Sequence, residues 1–568
     1  MVASTWRGRF LNRAANNQFA DIPAADNPKS LFGWPLLIIS ATAFAVVLPF
    51  FFWGDPSGHD FEFHVNSWME VVNLWKQGVV YPAWAGFAHY GYGEARFIFY
   101  PPISWTIGAI LGLLLPWKIV PGAYICLALT LSGCSMFLLA RTWLTWRDAL
   151  FAAMFYAANP YYLVIVYWRS AYAELLAGAL LPLVFLFMLR CGEFGRRMVV
   201  RLALVVAAAW LTNLPAAIML SYSLVLLLLI RALELKSPRV VGNGALAILF
   251  GVALAAFYLL PAIYEQKWVT IAQVLGPGIR PEDNFLFTNI SDVDHNRFNY
   301  LVSLVAFSEI AILTIATILC RKRQISKSVW WYFTLWSLFS ALLMLPVTSF
   351  AWKYFPELKF VQFPWRWLLC LNVPLAMLIA IAWRRWAPRI LICIGFLTVL
   401  ALVWHRVQPP WWDSAADLAE MLDDQQTGKG YEGTDEYVPA GSDPYEIAQD
   451  APLVTAVDGK PLKAGIQKWN AQSRLFSVQT DQPEKIVLRL FNYPAWRVEI
   501  NGRAIPAGTR YVTGQMVIPV ETGTNSVRIT FTRTWDRTIG AIISSIALVL
   551  VIAIEWIRRR REAVHRTA

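Results

Sequence analysis

The chain has 568 residues, of which 57% are hydrophobic and only 15% are charged, and its formal net charge is +12. This composition, with 28 Trp, 34 Phe and 21 Tyr, excludes an ordinary soluble domain and indicates a membrane protein with many spans. The positive charge does not indicate nucleic-acid binding, because basic residues retained on the cytoplasmic side of many helices account for it.

Apolar runs long enough to cross a bilayer recur along most of the chain. The candidates are 33–53, 98–116, 119–140, 149–166, 174–190, 197–212, 214–231, 241–262, 299–320, 328–346, 365–383, 389–405 and 537–557. If all of them span and the N-terminus is cytoplasmic, the basic residues Arg141 and Arg147 fall on the wrong side. Removing 98–116, which opens with Pro101-Pro102, restores the pattern. We therefore predict about twelve spans, both termini inside, and a helix at 98–116 in the outer interface.

Two outer regions follow from this topology, a first loop at 54–118 and a C-terminal segment at 406–535. The segment is acidic and irregular at first, and from about 455 its alternating apolar residues predict a small antiparallel β-sandwich. The predicted strands are RLFSVQT (474–480), KIVLRLF (485–491), WRVEING (496–502), MVIPV (516–520) and SVRITFT (526–532). The predicted domains are a cytoplasmic N-terminus (1–33), a transmembrane domain (34–405), the extracytoplasmic segment (406–535), and a final span with a basic cytoplasmic tail (536–568).

The first predicted span runs directly into WGDPSGHDFEFH (53–64), which carries three acids and two histidines. If the stretch is helical, Asp60 and His64 share one face. A metal site of Asp60, His64 and His59 is one interpretation, and a solvated loop acid or helix cap is another. Glu309 stands well inside a predicted span and should face a wet cavity or a partner, because a carboxylate at that depth is costly.

Several motifs follow one another in a fixed order along the chain. They are HDFEFH (59–64), GVVYPAW (78–84), HYGYGEARFIFYPP (89–102), WRSAYAELLA (168–177), FVQFPWRWL (360–368), TDEYVPAG (434–441) and NYPAWRVEINGR (492–503). The set resembles the GT-C glycosyltransferase superfamily. It is most similar to the bacterial membrane proteins called 6-pyruvoyl-tetrahydropterin synthase-related and to their YfhO-like relatives. That label concerns a different, soluble enzyme, and no function follows from it.

The resemblance implies an inverting glycosyltransferase of the bacterial inner membrane, with its site and its C-terminal domain facing the periplasm. Such enzymes move a sugar from a polyprenyl-phosphate donor to a lipid- or polymer-linked glycan acceptor. An acid in the first outer loop serves as the base, and by this resemblance that acid is Asp60. We expect no soluble cofactor and no metal.

A donor phosphate needs positive ligands, and arginines on the predicted outer side suit it through their paired, planar donors. The predicted phosphate ligands are Arg169, Arg366 and Arg96. For Arg169, an ion pair with Glu174 one turn further on is the alternative. The predicted supporting residues are His64, Glu174, Glu309 and Tyr92, the last as a ring on which a sugar could stack.

A non-enzymatic transporter or flippase, or an assembly factor for lipid-linked envelope glycans, is the alternative function. Transporters concentrate charge inside their spans and often contain inverted repeats. Here nearly all charge lies at span ends, and the richest polar cluster is in an outer loop. We therefore favour the enzyme, with a polyprenyl-phosphate sugar, a glycan acceptor and membrane lipids as partners, and no nucleic acid.

Overall fold

The computed structural model describes residues 33–190, 196–322, 326–460 and 462–567. Within these ranges nine helices are long and apolar enough to cross a membrane. They are Trp34–Trp53, Trp117–Ala140, Trp146–Arg169, Tyr172–Arg190, Leu214–Leu235, Val293–Lys322, Pro364–Ala382, Trp386–Arg406 and Trp535–Ile557. Two further pairs are bent, Arg239–Leu254 with Ala256–Trp268 by 72° and Lys327–Leu343 with Pro346–Tyr354 by 88°. The predicted cytoplasmic N-terminus lies almost wholly outside the described residues.

Each predicted span coincides with one of these helices, with a bent pair or with the shorter helix Met198–Thr212. The chain is therefore a polytopic α-helical membrane protein, as predicted. Pro102–Leu114 has 13 residues and is therefore about 20 Å long, which is shorter than a hydrocarbon core of about 30 Å. Met198–Thr212 is also a shorter apolar helix, so the removal of 98–116 and the count of twelve spans stay predictions. The place of Pro102–Leu114 in the outer interface stays a prediction.

The helical domain is built around Pro364–Ala382, in which every residue from Leu368 to Ala382 is buried. The helices Trp34–Trp53 and Trp386–Arg406 lie at the periphery, because most of their residues are exposed although they are apolar. An exposed apolar face of this kind suits contact with lipid chains. The central helix therefore begins deep inside the protein, and residues near its first turn are shielded from lipid.

The C-terminal sheets form the predicted sandwich. The strands of the whole chain are β1 Asp55–Pro56, β2 Trp412–Asp413, β3 Val454–Ala456, β4 Ala464–Asn470, β5 Ser473–Thr480, β6 Glu484–Phe491, β7 Trp496–Ile500, β8 Arg503–Ile505, β9 Gly508–Thr509, β10 Gln515–Val520 and β11 Gly523–Phe531. One antiparallel sheet has the order β3-β6-β10-β9 and the other β4-β5-β11-β7-β8. Both contribute to one core, for example Leu488 and Ile518 from the first and Phe476 and Ile529 from the second.

All five predicted strands are present, as β5, β6, β7, β10 and β11. Strand β4 was not predicted, because most of its side chains are exposed and its sequence therefore lacks the apolar alternation that marks a half-buried strand.

The segment before the sandwich is more ordered than its acidic sequence predicts. It contains the helix Ala415–Gln426, which starts at a capping box formed by Ser414 and Asp417. We call residues 407–437 the strap. The strap lies along the first loop, since β2 pairs with β1 and the side-chain amide of Gln425 donates to the Asn66 carbonyl at 3.1 Å.

Candidate functional site

Asp60 ends the loop that leads from the first span into the helix Phe61–Lys76. Its backbone N–H donates to the Arg169 carbonyl oxygen at 3.0 Å. Gly58 lies against the same segment, because its N–H donates to the Ser170 hydroxyl at 2.9 Å and a Cβ there would meet the Trp168 carbonyl oxygen at 2.5 Å. Only glycine fits at position 58, and the Asp60 backbone is thereby held next to Arg169.

The helix that carries Arg169 is widened at its end. Residues Ile165–Arg169 form a π-helical turn, and the Ser170 N–H donates to the Ile165 carbonyl at 2.7 Å. Ser170 itself is left-handed, with φ of 51°, and its hydroxyl donates to the Pro56 carbonyl at 2.9 Å. Widened turns of this kind recur at functional sites, where strained backbone is held by its surroundings.

Arg169 and Arg366, which we call the arginine pair, share a single carboxylate. Arg169 Nη1 lies 2.7 Å from Glu174 Oε2, and Arg366 Nε lies 3.1 Å from the same oxygen. The other oxygen, Oε1, accepts a hydrogen bond from the Tyr161 hydroxyl at 2.5 Å. Arg169 is 3% exposed, Glu174 1% and Arg366 7%. Two buried guanidiniums therefore share one buried carboxylate, and the pair carries one positive charge more than Glu174 balances.

Both guanidiniums have donors to spare. Arg169 uses Nη1 for Glu174 and for the Tyr161 hydroxyl at 3.1 Å. Arg366 uses Nη1 for the Val361 carbonyl and Gln362 Oε1, both at 2.9 Å. Within the described part of the chain, Nη2 of neither arginine donates a hydrogen bond. The rings of Trp365 and Phe363 lie 4.7 Å and 4.6 Å from the guanidinium carbons of Arg169 and Arg366, and they hold both planes in place.

The Asp60 carboxylate is partly exposed and forms no hydrogen bond or ion pair with any residue that the structure describes. Asp60 occupies the N-cap position of the helix Phe61–Lys76, but its side chain accepts no hydrogen bond from the backbone of that helix. Its charge acts on Arg169 and Arg366. Burial, and then the Asp60 charge, raise the pKa of Tyr100 well above its ordinary value. The structure thus places a free carboxylate beside the arginine pair, and these three predicted residues come together.

Glu309 is linked to this cluster through Tyr161. It is fully buried, and its Oε1 accepts from the Tyr161 N–H at 3.2 Å while its Oε2 accepts from Asn372 Nδ2 at 3.1 Å. The predicted partner of this buried carboxylate is therefore present. Tyr161 joins Glu309 to Glu174, since its N–H bonds one and its hydroxyl bonds the other. Tyr161 and Asn372 were not predicted, because neither stands out in an apolar run, whereas Gln362 lies inside the quoted FVQFPWRWL motif.

His64 is enclosed by aromatic rings and is stacked on Tyr172 with 5.2 Å between centroids. Burial lowers its pKa to about 4, although the Asp60 charge opposes that shift. The ring is therefore neutral at pH 7 and helps to pack the floor beneath Asp60. His59 is exposed. Among the described residues no three His, Cys, Asp or Glu groups converge as they would around a metal ion.

Arg96 lies in a different cluster. Its Nε is 2.5 Å from Glu94 Oε1, and its Nη1 donates to the Ser67 hydroxyl at 2.9 Å. The second oxygen of Glu94 accepts from the Thr434 N–H at 2.8 Å. Burial favours the neutral form of Glu94, but Arg96, His89 and Thr434 outweigh burial and lower its pKa to about 2. We call Glu70, Glu94, Arg96, Tyr431 and Thr434 the closed cluster. These contacts favour a structural role for Arg96 over the predicted phosphate contact.

Tyr92 is also remote from the arginine pair. Its hydroxyl donates to the Ala448 carbonyl at 3.0 Å, and its ring packs on Phe491 of β6 with 5.5 Å between centroids. It is fully buried between the first loop and the sandwich. Tyr92 therefore joins two parts of the fold and offers no open ring face to a sugar, contrary to the prediction.

A family model described as "6-pyruvoyl-tetrahydropterin synthase related domain; membrane protein" matches residues 97–408, more than half of the chain. The match includes Arg169 and Arg366 and begins after Asp60. An uncharacterized protein of Lactococcus lactis subsp. cremoris (strain MG1363) is 25% identical over 365 residues, which are 57% of this chain and 55% of that protein. The chain thus spans about half the length of this relative.

Two solved structures align at low identity. The crystal structure of ArnT from Cupriavidus metallidurans bound to undecaprenyl phosphate aligns with 15% identity and a TM-score of 0.44, over 65% of this chain and 64% of that one. The Archaeoglobus fulgidus oligosaccharyltransferase in its apo form aligns with 14% identity and a TM-score of 0.36, over 71% and 56%. Both TM-scores lie below 0.5, so neither alignment bears on the activity of this chain. The family match shows that the chain belongs to the 6-pyruvoyl-tetrahydropterin synthase related family of membrane proteins.

Proposed function

We propose that this protein is an integral-membrane, inverting glycosyltransferase. It moves a sugar from a polyprenyl-phosphate donor to a hydroxyl of a lipid- or polymer-linked glycan at the periplasmic face of a bacterial inner membrane. One observation carries the proposal. A free carboxylate, Asp60, stands beside two arginines that have a single carboxylate, Glu174, between them. The resemblance of the first-loop motifs to GT-C enzymes points to the same reaction.

The arginine pair suits the phosphate of the donor. Its excess positive charge and its unused N–H groups match an anion with several acceptor oxygens. Arg169 ends the helix Trp146–Arg169 and Arg366 stands in the first turn of Pro364–Ala382. The pair therefore lies at the end of two spans, which is the depth at which a lipid phosphate lies while its polyprenyl chain remains in the hydrocarbon.

Asp60 supplies the base in this proposal. The acceptor oxygen attacks the anomeric carbon, and the new C–O bond forms as the bond between that carbon and the phosphate oxygen breaks. Asp60 takes the proton of the acceptor hydroxyl during the attack. The leaving phosphate gains negative charge, which Arg169 and Arg366 stabilise. Direct displacement inverts the anomeric configuration, and no further reactant is needed.

Asp60→Asn is the decisive variant. It keeps the shape of the side chain but cannot accept the proton, so sugar transfer should fall by roughly 10² or more. Transfer is measured as polyprenyl phosphate released from a panel of polyprenyl-phosphate-linked hexoses by the purified chain in vesicles. Glu62→Gln is the matched control, because Glu62 is an exposed acid two residues further on, and it should transfer at the native rate.

The same variant separates the enzyme from the transporter. Asp60→Asn should bind polyprenyl phosphate as tightly as the native chain, because the arginine pair holds the phosphate. If the native chain binds polyprenyl phosphate but releases no sugar from any donor, or if Asp60→Asn transfers at the native rate, Asp60 is not the base. Movement of the intact donor between leaflets would then favour the flippase.

The periplasmic orientation is tested by labelling with an impermeant thiol reagent, in a chain whose native cysteines are replaced. Lys429→Cys lies on the exposed surface of the strap and should be labelled in intact cells. Arg147→Cys is exposed near the start of Trp146–Arg169, at the end opposite Arg169, and should be shielded until the membrane is opened. Labelling at position 147 alone would reverse the proposed orientation.

A further inference from the structure

A cavity of about 340 Å³ lies where the sandwich meets the last span. Its walls come from the first loop, the bent helix Ala256–Glu265, the end of β11 and the start of Trp535–Ile557. The residues that matter below are the apolar Phe257, Pro261 and Ala541 and the polar Tyr81, Gln472 and Arg533. No residue of the Asp60 site lines this cavity.

A short helix, Arg96–Phe99, separates the cavity from Asp60. Phe97 and Ile98 of this helix face the cavity. Tyr100, the residue that follows this helix, packs instead against His64 with 5.8 Å between ring centroids. The Tyr258 hydroxyl donates to the Phe99 carbonyl at 2.6 Å and completes the wall. The cavity and the Asp60 site are therefore distinct.

The polar rim of the cavity has one uncompensated cation. Arg537 also lines the cavity, but both its Nε and its Nη2 lie 2.7 Å from Glu265, which neutralises it. Arg533 is exposed and donates a single hydrogen bond, to the Arg537 carbonyl at 3.2 Å. Within the described residues it has no acidic partner, and neither the side-chain amide of Gln472 nor the Tyr81 hydroxyl is hydrogen-bonded. These three groups can donate to an anion.

The depth of the cavity indicates what kind of anion it takes. Trp535 begins the last span and is 54% exposed, as is usual for a tryptophan at the boundary between water and lipid. Arg533 therefore lies at headgroup level. Ala541 follows six residues after Trp535, and at about 1.5 Å per residue it lies about 9 Å deeper, among acyl chains. The cavity thus runs from the headgroups into the hydrocarbon.

We infer that this cavity binds a membrane lipid with an anionic phosphate headgroup. The phosphate lies against Arg533 and Gln472, and the acyl chain lies against Phe257, Pro261 and Ala541. The inference does not depend on the proposed glycosyltransferase activity, because the two sites share no residue. The Tyr81 hydroxyl donates to the ester or headgroup oxygens at the rim.

Native mass spectrometry of the delipidated full-length chain tests the inference. Phosphatidylglycerol should occupy one tight site, and phosphatidylcholine should bind there at least tenfold more weakly, because its headgroup has no net charge. Arg533→Gln should weaken phosphatidylglycerol roughly tenfold or more, the usual cost of losing a charged hydrogen bond. Arg528→Gln is the control, since Arg528 is an exposed arginine on β11, the strand that precedes Arg533, and it should bind like the native chain.

Three outcomes would overturn the inference. They are native affinity in Arg533→Gln, an equal loss in Arg528→Gln, and displacement of the lipid by glycerol 3-phosphate at equal concentration, which would mark a site for free phosphate. Ala541→Trp provides a second test that does not involve charge. The added ring fills the apolar end of the cavity and should abolish the tight site. If it leaves phosphatidylglycerol binding unchanged, the lipid does not lie in this cavity.

Discussion

The arginine pair and the closed cluster contain the same kinds of side chain, yet they differ in what the protein leaves unpaired. In the closed cluster, Arg96 meets Glu94, and Glu70 lies nearby with the Tyr431 hydroxyl 2.6 Å from its Oε2. Carboxylates outnumber guanidiniums, and strap residues close the cluster. In the arginine pair the ratio is reversed and donors remain unused. Both clusters bury charged groups, so burial alone does not tell a binding site from a structural one. The arginine pair differs in having more guanidiniums than paired carboxylates and donors that remain unused, and these two features favour binding.

The largest effect should come from breaking the closed cluster. Glu94→Gln leaves Arg96 buried without its carboxylate, which should lower the free energy of unfolding by about 3–5 kcal/mol. The measurement is denaturant unfolding of the purified chain in detergent. Asp294→Asn is the control, because it breaks an exposed ion pair with Arg297 that should contribute less than about 1 kcal/mol. Similar small losses in both variants would mean that the closed cluster is not structural.

A smaller effect, on binding rather than stability, should follow from Arg366→Gln. Losing a charged donor to phosphate costs about 1.5–3 kcal/mol, so the affinity for polyprenyl phosphate should fall roughly 10- to 100-fold. Binding is measured by displacement of a fluorescent polyprenyl phosphate from the chain in nanodiscs. Arg280→Gln removes an exposed arginine and should bind like the native chain. If Arg366→Gln binds polyprenyl phosphate like the native chain, the arginine pair is not a phosphate site and does not differ in function from the closed cluster.

The smallest effect concerns pH and the contact of the strap with the Asp60 loop. Asp55 of β1 is buried opposite Asp413 of β2, and burial, then the Asp413 charge, raise its pKa from 3.8 to about 7. Between about pH 4 and pH 7 the folded chain keeps a proton that the unfolded chain has lost. Asp55 therefore stabilises the fold most in acid, and this contribution falls as pH rises through that window.

Asp55→Asn should remove this part of the pH dependence. The difference in midpoint temperature of unfolding between pH 5 and pH 8 should shift by a few degrees relative to the native chain. Glu94 and His64 titrate in both chains and cancel in the comparison. A variant with the native pH dependence would show that Asp55 keeps no proton when folded.

The spans and five strands were predictable because hydropathy and alternation are local signals. The two interpretations of Arg169 proved to be compatible, since it does pair with Glu174 and still has donors left. The pairing of Arg96 with Glu94 was not predicted, for a physical reason. Glu94 is two residues away, a spacing that does not bring side chains together on a helix, and the pair forms because Glu94 precedes the helix Arg96–Phe99, with the non-helical Ala95 between them.

The strap could not be predicted in the same way. Its order depends on partners in the first loop, such as Phe87 and Asn66, which lie far away in sequence. The capping box at Ser414 and Asp417 was its one local signal. Tyr92 illustrates the same limit, because the ring that covers it belongs to β6, and no local pattern reports such a contact.

The bond between Tyr431 and Glu70 has a consequence for biosynthesis. The two residues are 361 positions apart. Because ribosomes add about 5–20 residues per second, Tyr431 is synthesised roughly 20–70 s after Glu70. During that interval the carboxylates of the loop are hydrated and its apolar surface is uncovered. A chain that terminates inside the strap never leaves this state. The first loop of an unfinished chain therefore exposes polar and apolar groups that the complete chain covers.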